Sequence, residues 1–264
     1  MILFIGLGRM GLPMAVHALK AGQAVVGCDP SESRRVLLIE QGGTACDEPS
    51  TFLQEAKAVV IMVGAEAQVE QIVTGPGGLV ERCRPGTLVL VVSTVAPDLV
   101  ARLGEATAAH GLRLVDAPVC RAEMGAIAGN LLAFLSGPES DCREAAVLMR
   151  PYSADIEIVG ERLGAAQIAK TVNNMILWAC AMANEEGLRL AADWQLDQGA
   201  LRRALMTSSA NNWALQNWDN AKKMVWSIKD MEIALRTAQK SAVAVPLAET
   251  VEQLVRKSSV LAHA

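Results

Sequence analysis

Short, continuously apolar runs alternate with helix-like segments through the first 160 residues of the chain. Runs that are apolar throughout, rather than at every second position, are typical of parallel strands covered on both faces. Helical patterns over 9–21, 97–109 and 139–149 fill the gaps, which predicts repeated strand–helix–strand units. The predicted strands are MILFIGLG (1–8), AVVGCD (24–29), AVVIMVG (58–64), LVLVVST (88–94), RLVDAPV (113–119), LLAFLSG (131–137) and IEIVG (156–160).

The pattern changes after IVGERLG. From residue 163 onward apolar residues recur at helical spacing, as in ALRRALM and MEIALRTA, and no strand pattern is present. All five tryptophans lie in this part of the chain. We therefore predict an α/β domain over 1–160, built on a doubly wound, mostly parallel sheet, and an all-helical domain over 161–264 that begins with a long helix.

The composition of the chain argues against some kinds of binding partner. A net charge of −4 with 20% charged residues gives no electrostatic reason to expect nucleic acid or an anionic membrane. Six scattered cysteines, without a CxxC pair or neighbouring histidines, argue against a disulfide scaffold and against a metal site. Together with the absence of a basic leader, they favour a reducing cytoplasm.

A glycine-rich turn follows the first predicted strand and opens the first helix. In FIGLGRMG, the spacing GxGxxG is formed by Gly6, Gly8 and Gly11. The three glycines permit a tight turn, close approach of a pyrophosphate, and close packing of helix on sheet. Amide groups at the helix N-terminus then bind phosphate. The predicted cofactor-binding residues of the turn are Gly6, Leu7, Gly8, Arg9, Met10 and Gly11; the alternative is a turn without a ligand.

Asp29 ends the second predicted strand, where an acidic residue typically accepts a hydrogen bond from the adenosine ribose. A carboxylate there repels a 2′-phosphate, so the sequence favours NAD over NADP. Ser31, Arg34 and Arg35 follow closely, and they are either a phosphate site or a solvated first turn of helix.

Lys170 stands in the apolar run IAKTVNNMILWACAMA, in register with Gln167, Asn173 and Asn174 on one helical face. Burial in an apolar cleft lowers the pKa of a lysine, which then exchanges a proton near neutral pH, as hydride transfer at an alcohol carbon requires. An amide one turn later is suited to hold a substrate carboxylate. The alternative is a structural polar contact, or a lysine that extends its ammonium group to solvent.

With these motifs, the sequence resembles the β-hydroxyacid dehydrogenase family, which includes 3-hydroxyisobutyrate dehydrogenase and tartronate-semialdehyde reductase. The matching segments are FIGLGRMGLPMA, STVAP, DAPVCRAEMGAIAGNL, GAAQIAKTVNN, KDMEIAL and VPLAETV. The resemblance implies a Rossmann domain, a helical domain, a homodimer or homotetramer, and Lys170 as catalytic acid/base. It also places Asn173 and Asn174 on the substrate carboxylate. It further implies that Thr94 lies by the nicotinamide and the substrate, and that Lys229 contacts the cofactor. Val63 and Gly64 would lie under the adenosine. Asp116 would have a structural role.

The sequence departs from the family after DAPV. Relatives commonly have the residues Ser-Gly-Gly at this point, and these residues contact the substrate. Here the three predicted substrate-binding residues are Cys120, Arg121 and Ala122. An arginine brings a bidentate donor that fits a second anionic group, or it is an exposed residue at the start of the next helix. Trp213, in the stretch SSANNWALQNW, is a further candidate for the substrate cleft, or else a core aromatic.

The sequence therefore predicts an NAD-dependent dehydrogenase of a short 3-hydroxy acid or the matching semialdehyde. Two alternatives stay open: an imine reductase, and a nucleotide-binding module without catalysis. Relatives of both kinds lack the lysine at position 170, so the presence of Lys170 counts against both.

Overall fold

The computed structural model describes residues 1–221 and 225–258. The chain forms two compact units, Met1–Lys170 and a second from Thr171 onward. The division falls inside a long helix, whereas the sequence predicts a domain boundary near residue 161; that boundary stays a prediction.

The first unit is built on one sheet, mostly parallel, as the sequence predicts. Its strand order, in the labels below, is β3-β2-β1-β4-β5-β6-β8-β7, and β9 pairs with β8. β8 runs antiparallel to β6 and β7, and the other pairings are parallel. The strands are β1 (Ile2–Ile5), β2 (Val25–Cys28), β3 (Thr44–Cys46), β4 (Ala58–Ile61), β5 (Leu88–Val91), β6 (Arg113–Asp116), β7 (Val119–Cys120), β8 (Leu131–Ser136) and β9 (Ser153–Gly160).

Helices connect the strands of this unit. The helices are α1 (Gly11–Lys20), α2 (Glu32–Ile39), α3 (Glu66–Thr74), α4 (Leu79–Arg82), α5 (Pro97–Ala109), α6 (Ala122–Ala128) and α7 (Glu139–Met149), with a 3-10 turn at Pro49–Thr51. α5 begins with a proline, whose fixed φ suits the first helical position. It ends before Gly111, whose φ of 72° supplies the left-handed residue that typically follows a helix.

The central strands are buried on both faces, which explains their continuous apolar runs. Leu3, Val59 and Val89 are register partners across β1, β4 and β5, and none of the three is exposed to solvent. Full burial of such a side chain contributes about 1.5–3 kcal/mol. This row of contacts fixes the register of the parallel strands and therefore aligns their carboxyl ends at one edge.

Helices make up the described part of the second unit. They are α8, which begins in the first unit and spans Ala165–Asp193, then α9 (Gln198–Met206), α10 (Trp213–Gln216), α11 (Trp218–Ala221), α12 (Ser227–Lys240) and α13 (Pro246–Lys257). Its buried side chains include Trp178, Met231 and Val255. Across the described ranges, no helix combines the length and the apolar character that a membrane crossing requires.

Candidate functional site

The glycine-rich turn has the geometry that its spacing predicts. Gly6 has a φ of +99°, and a Cβ there would lie 2.2 Å from the carbonyl oxygen of Met62. A Cβ at Gly11 would lie 2.0 Å from the carbonyl oxygen of Gly6, so helix α1 packs directly against the turn. A Cβ at Gly8 would meet no atom within 4 Å. The turn thus has an open side at Gly8, which is the side a pyrophosphate needs.

The carboxylate of Asp29 accepts a hydrogen bond from the backbone of the glycine turn. The Leu7 amide donates to Oδ2 at 2.8 Å, and the Ser31 amide donates to Oδ1 at 2.9 Å. Two backbone donors fix the carboxylate beside β1, at the end of β2. The glycine turn and Asp29, which are both predicted to bind the dinucleotide, therefore lie together in the first unit.

The residues behind Asp29 are turned toward their own backbone. The Arg35 guanidinium donates to the carbonyl oxygens of Asp29, at 2.8 Å, and Pro30, at 2.9 Å. The hydroxyl groups of Ser31 and Ser33 share a hydrogen bond of 2.9 Å. This arrangement fits the alternative interpretation of the segment, in which these residues form the first turn of a helix and not a phosphate site.

Arg9, from the same glycine turn, is paired with Glu123. Its Nη2 and Nε atoms lie 2.5 and 2.7 Å from the Glu123 carboxylate, with both side chains about one-third exposed. Since Glu123 belongs to α6, the ion pair joins the glycine-rich turn to the segment that follows β7. Sequence reasoning missed this link, because the two residues are 114 positions apart.

The loops after β4 and β5 are joined by Ser93. The Val63 amide donates to the Ser93 hydroxyl at 2.8 Å, and that hydroxyl lies 3.0 Å from the Val63 carbonyl oxygen. Gly64 and the half-buried Thr94 follow these two residues. The predicted adenosine-side and nicotinamide-side loops are therefore neighbours at the carboxyl edge of the sheet.

Gln167 holds the Thr94 loop from both sides. Its Oε1 accepts from the Val95 amide at 3.1 Å, and its Nε2 donates to the Ser93 carbonyl oxygen at 3.1 Å. Nε2 also donates to Asp116 Oδ1 at 2.8 Å. Gln167 is wholly buried. The sequence places this residue on the face of Lys170, but the bonds to residues 93 and 95 become evident only in the folded chain.

Asp116, at the end of β6, caps helix α8. Its Oδ2 accepts from the amides of Gly164, at 3.2 Å, and Gln167, at 3.0 Å. The Ser136 hydroxyl donates to the same oxygen at 3.2 Å and accepts from the Ala166 amide at 3.0 Å. These bonds satisfy amides at the start of the helix that carries Lys170. Burial raises the pKa of Asp116 to about 6.

Lys170 meets Cys120. The Nζ of Lys170 lies 3.7 Å from the Sγ of Cys120, which is in β7 just beyond the end of β6. Cys120 is 3% exposed, and Lys170 is half-buried. Within the first unit, the fold thus brings the predicted acid/base next to one of the three residues that depart from the family pattern.

Arg121 and Ala122 occupy backbone conformations that favour glycine, with φ of 81° and 52°. The Arg121 guanidinium donates to the Asn130 carbonyl oxygen at 2.7 Å and to the Asp155 carboxylate at 2.5 Å. The segment therefore has a backbone that suits two glycines, although both residues carry side chains. The Arg121 side chain therefore braces α6 against β9.

In the second unit, the predicted carboxylate-binding amides lie on α8. The Asn173 Nδ2 donates to the Asn174 Oδ1 at 3.0 Å, and Asn174 is 2% exposed. The half-buried Lys229 lies on α12, directly before Asp230. The Trp178 indole donates to Asp230 at 3.1 Å, with both side chains buried, and so ties α12 to α8.

Trp213 is half-buried at the start of α10. The preceding residue, Asn212, caps this helix by accepting from the Leu215 amide at 2.9 Å. Asn212 and Asn184 also exchange side-chain hydrogen bonds of 3.0 and 3.1 Å. The described residues include no cluster of three or more His, Cys, Asp or Glu side chains able to hold a metal ion.

A doubly wound sheet with a glycine turn and a fixed carboxylate at its carboxyl edge defines a dinucleotide-binding protein. The open side at Gly8 and the Asp29 carboxylate fit such a cofactor. Residues 1–160 match the NAD-binding domain of 6-phosphogluconate dehydrogenase, and residues 164–263 match the NAD-binding domain of NADP-dependent 3-hydroxyisobutyrate dehydrogenase. The chain belongs to the β-hydroxyacid dehydrogenase family.

Individual relatives agree with this assignment. The chain is 36% identical to 3-hydroxyisobutyrate dehydrogenase of Pseudomonas aeruginosa over 81% of this chain and 72% of the relative. It is 31% identical to the NAD-dependent L-serine dehydrogenase of the same organism, over 97% and 91%. The solved structure of Mycobacterium tuberculosis 3-hydroxyisobutyrate dehydrogenase with L-serine superposes with a TM-score of 0.86 at 26% identity, over 97% and 92%.

Proposed function

We propose that this protein is an NAD-dependent dehydrogenase that transfers a hydride between nicotinamide and a short-chain 3-hydroxy acid, or the matching semialdehyde. The observation that carries the proposal is the position of Lys170. Its side-chain nitrogen lies beside Cys120 of β7, in the unit that also holds the glycine turn, the Thr94 loop and Asp29. A dinucleotide site and a lysine of this kind together support oxidoreductase chemistry at an alcohol carbon.

We assign to Lys170 the transfer of one proton. When an alcohol is oxidised, Lys170 accepts the hydroxyl proton while the carbinol hydrogen leaves as hydride; in the reverse direction Lys170 returns the proton to the carbonyl oxygen. The bound nicotinamide supplies or accepts the hydride. Asp116 and Gln167 hold the first turn of α8 and the Thr94 loop, so the backbone that carries Lys170 and Thr94 keeps a fixed position.

The substrate is a small carboxylate. We assign its carboxylate to Asn173 and Asn174, as the family resemblance implies. The bond from Asn173 uses the Oδ1 atom of Asn174, which leaves the Nδ2 end of that amide as the donor suited to a carboxylate. Cys120 and Ala122 would border the substrate, and Trp213 would limit its size.

Arg121 has two roles open to it. As the second anion receptor it would have to release Asp155, which it holds at 2.5 Å. As a structural brace it keeps the segment after β7 in place. We favour the brace, since the Asp155 carboxylate already neutralises the charge of the guanidinium and the Asn130 carbonyl oxygen holds it in place.

Asp29 carries the proposed preference for NAD. Its carboxylate is fixed by two backbone amides where the ribose 2′-hydroxyl would donate, and a 2′-phosphate there would meet a negative charge. Replacing Asp29 with asparagine is expected to weaken NAD binding and to improve the ratio of NADP to NAD turnover. The ratio of kcat/KM values for the two cofactors measures this, and an unchanged ratio would remove Asp29 from the cofactor assignment.

The assay of the whole proposal follows reduced nicotinamide by absorbance, with NAD or NADP. The substrates are 3-hydroxyisobutyrate, L-serine, glycerate, threonate and dihydroxypropanesulfonate. Lys170→Ala is expected to abolish turnover while leaving the NAD dissociation constant nearly unchanged, since the lysine acts on the substrate. Lys20→Ala, at an exposed lysine of α1, is the matched control.

Two other outcomes identify the alternatives. Cofactor binding without turnover of any hydroxy acid would favour a nucleotide-binding module. Reduction of a cyclic imine that survives Lys170→Ala would favour an imine reductase.

The chain is also proposed to act as a homodimer or homotetramer in the cytoplasm. Apolar side chains on α8 and α13, including Val172, Ile176 and Leu247, are about half exposed or more, which is unusual for helices without a partner. All six cysteines are free thiols, in keeping with a reducing compartment. Light scattering on the purified protein measures the number of subunits.

A further inference from the structure

Cys120 and Lys170 form an unusual pair of side chains. One is a thiol that is 3% exposed, the other a half-buried amine, and their reactive atoms are 3.7 Å apart. The lysine is flexible and the thiol is fixed on β7, so a small rotation of the lysine closes the remaining distance. A serine, which is common at this position in relatives, has no comparable chemistry with an amine.

We propose that Cys120 and Lys170 are an oxidative modification site, at which hydrogen peroxide links the two side chains through a reversible sulfur–nitrogen bond. The formation of the bond depends only on this geometry. Its consequence, reversible loss of dehydrogenase activity, rests on the function proposed above, because the bond removes the nitrogen that is assigned the proton transfer.

The chemistry has two balanced steps. In the first, the Cys120 thiol is oxidised by hydrogen peroxide to a sulfenic acid, and the peroxide is reduced to water. In the second, the Lys170 nitrogen attacks the sulfur. The nitrogen attacks as the free amine, after the ammonium form has given one proton to solvent. A sulfur–nitrogen bond forms, the sulfur–oxygen bond breaks, and the departing hydroxide takes a second proton from the nitrogen and leaves as water. An external thiol reverses the link by attack at sulfur, in the manner of disulfide exchange.

Burial favours capture of the sulfenic acid by the lysine. The first oxidation and any further one both need a peroxide molecule to reach a sulfur that is 3% exposed, so a second peroxide arrives slowly once the sulfenic acid has formed. The lysine nitrogen is already in place, so its attack is intramolecular and has a high effective concentration. The sulfenic acid at Cys120 is therefore expected to become the crosslink rather than a sulfinic acid.

Cys180, a half-buried free thiol, is one competitor for oxidation, and the pair Cys28 and Cys46 is another. Cys28 and Cys46 are direct register partners on β2 and β3, and their thiols share a hydrogen bond. Burial, however, raises the pKa of both thiols, which reduces the fraction of reactive thiolate. Burial likewise raises the pKa of Cys83 and of Cys142 to about 11.

Peptide mapping tests the proposal directly. The full-length protein is treated with hydrogen peroxide, remaining thiols are blocked, and the chain is digested with trypsin without a reductant. Trypsin cuts after arginine and lysine, so Cys120 lies in peptide 114–121 and Lys170 ends peptide 163–170.

A linked Lys170 resists cleavage. The expected product joins 114–121 to 163–189 with the loss of two hydrogen atoms and with the blocking group on Cys180, and it separates again on reduction. A disulfide between Cys120 and Cys180 would instead leave Cys180 unblocked and permit cleavage after Lys170.

Two variants make the test specific. Lys170→Ala is expected to lose the crosslink and to accumulate sulfinic acid at Cys120. Cys142→Ala removes another buried thiol, which lies against the Gly137 carbonyl oxygen, and is expected to form the crosslink as the wild type does. A wild-type protein with peptide 114–121 unmodified, or carrying only sulfinic acid, with free peptide 163–170, would overturn the proposal.

Activity is measured on the same samples. The expected result is a loss of turnover equal to the crosslinked fraction, and recovery with a reductant. A crosslink that forms without loss of turnover would leave the modification site intact but contradict the role of Lys170 in catalysis. Absence of the crosslink in an active enzyme would contradict only the modification site.

Discussion

The side-chain amide of Gln167 donates a 2.8 Å hydrogen bond to the carboxylate of Asp116, and this buried pair joins three parts of the first unit. Asp116 belongs to the end of β6 and caps α8, and Gln167 belongs to α8 and holds the loop around Thr94. The helix that carries Lys170 and the loop assigned to the nicotinamide are thus fixed to the same carboxylate.

Gln167→Met is expected to reduce kcat by about tenfold or more, because misplacement of a reacting group by about 1 Å costs up to about 100-fold in rate. The NAD dissociation constant is expected to change little, since Asp29 and the glycine turn are untouched. A loss confined to stability would show a structural role only. The split between kcat and the dissociation constant is therefore the decisive readout.

Gln23→Met is the matched control for that variant. Gln23 also donates its amide to a carbonyl oxygen, that of Leu148, but lies outside the proposed site. Its kcat is expected to equal that of the wild type. Equal losses of kcat in both variants would contradict the positioning role of Gln167.

Asp116→Asn is expected to change how stability depends on pH. Burial raises the pKa of Asp116 in the folded chain to about 6, above the ordinary value of 3.8. Between these two values the folded chain binds a proton that the unfolded chain does not, so this group adds stability as the pH falls from about 6 to about 4. The gain is on the order of 2–3 kcal/mol, and it is absent in the asparagine variant.

Chemical denaturation of both proteins at several pH values between 4 and 7.5 measures this effect. The asparagine variant is expected to be less stable throughout, because one carboxylate oxygen becomes an NH2 group. If the remaining oxygen accepts from the amides of Gly164 and Gln167, the NH2 group faces the Gln167 Nε2 donor. The informative quantity is the difference between the two curves. Parallel curves would show that Asp116 does not take up a proton in that range.

Gly8→Ala is expected to weaken NAD binding by tenfold or more, about 1.4 kcal/mol, without reducing stability. A Cβ at this position meets no protein atom within 4 Å, so the fold accepts it, but it enters the space of the pyrophosphate. Titration of intrinsic tryptophan fluorescence with NAD gives the dissociation constant. Unchanged affinity would mean that the dinucleotide does not approach the turn at Gly8.

Gly187→Ala is the control for that substitution. Gly187 lies within α8, and a Cβ there also meets no atom within 4 Å. In a helix interior, alanine is favoured over glycine by up to about 1 kcal/mol. This variant is expected to melt at a slightly higher temperature and to bind NAD as the wild type does.

Ala122→Gly is expected to stabilise the protein by up to about 1 kcal/mol, because alanine at a φ of 52° bears a steric penalty that glycine avoids. Thermal unfolding measures the change. Ala128→Gly, in the same helix α6 and exposed, is expected to have the opposite sign. A loss of stability in both variants would show that the φ of Ala122 is not strained.

Much of the fold could be predicted from the sequence, because continuous apolar runs and helical spacing are local signals. Helices α5 and α7 have the bounds predicted for them, 97–109 and 139–149. The prediction missed β3 and the separate strand β7. β3 is three residues long and partly exposed at the sheet edge, so it lacks the apolar run of a central strand.

The sequence by itself determined the class of the protein and most of its proposed site residues. The spacing of Gly6, Gly8 and Gly11 and the position of Lys170 in an apolar run are local patterns that can be recognised without knowledge of distant partners. Only the tertiary structure decided what those residues contact. Arg9 with Glu123, Cys120 with Lys170, and Asp116 with Gln167 are each separated by 50 or more positions. Such pairs are set by the order in which strands join the sheet, which no local pattern encodes.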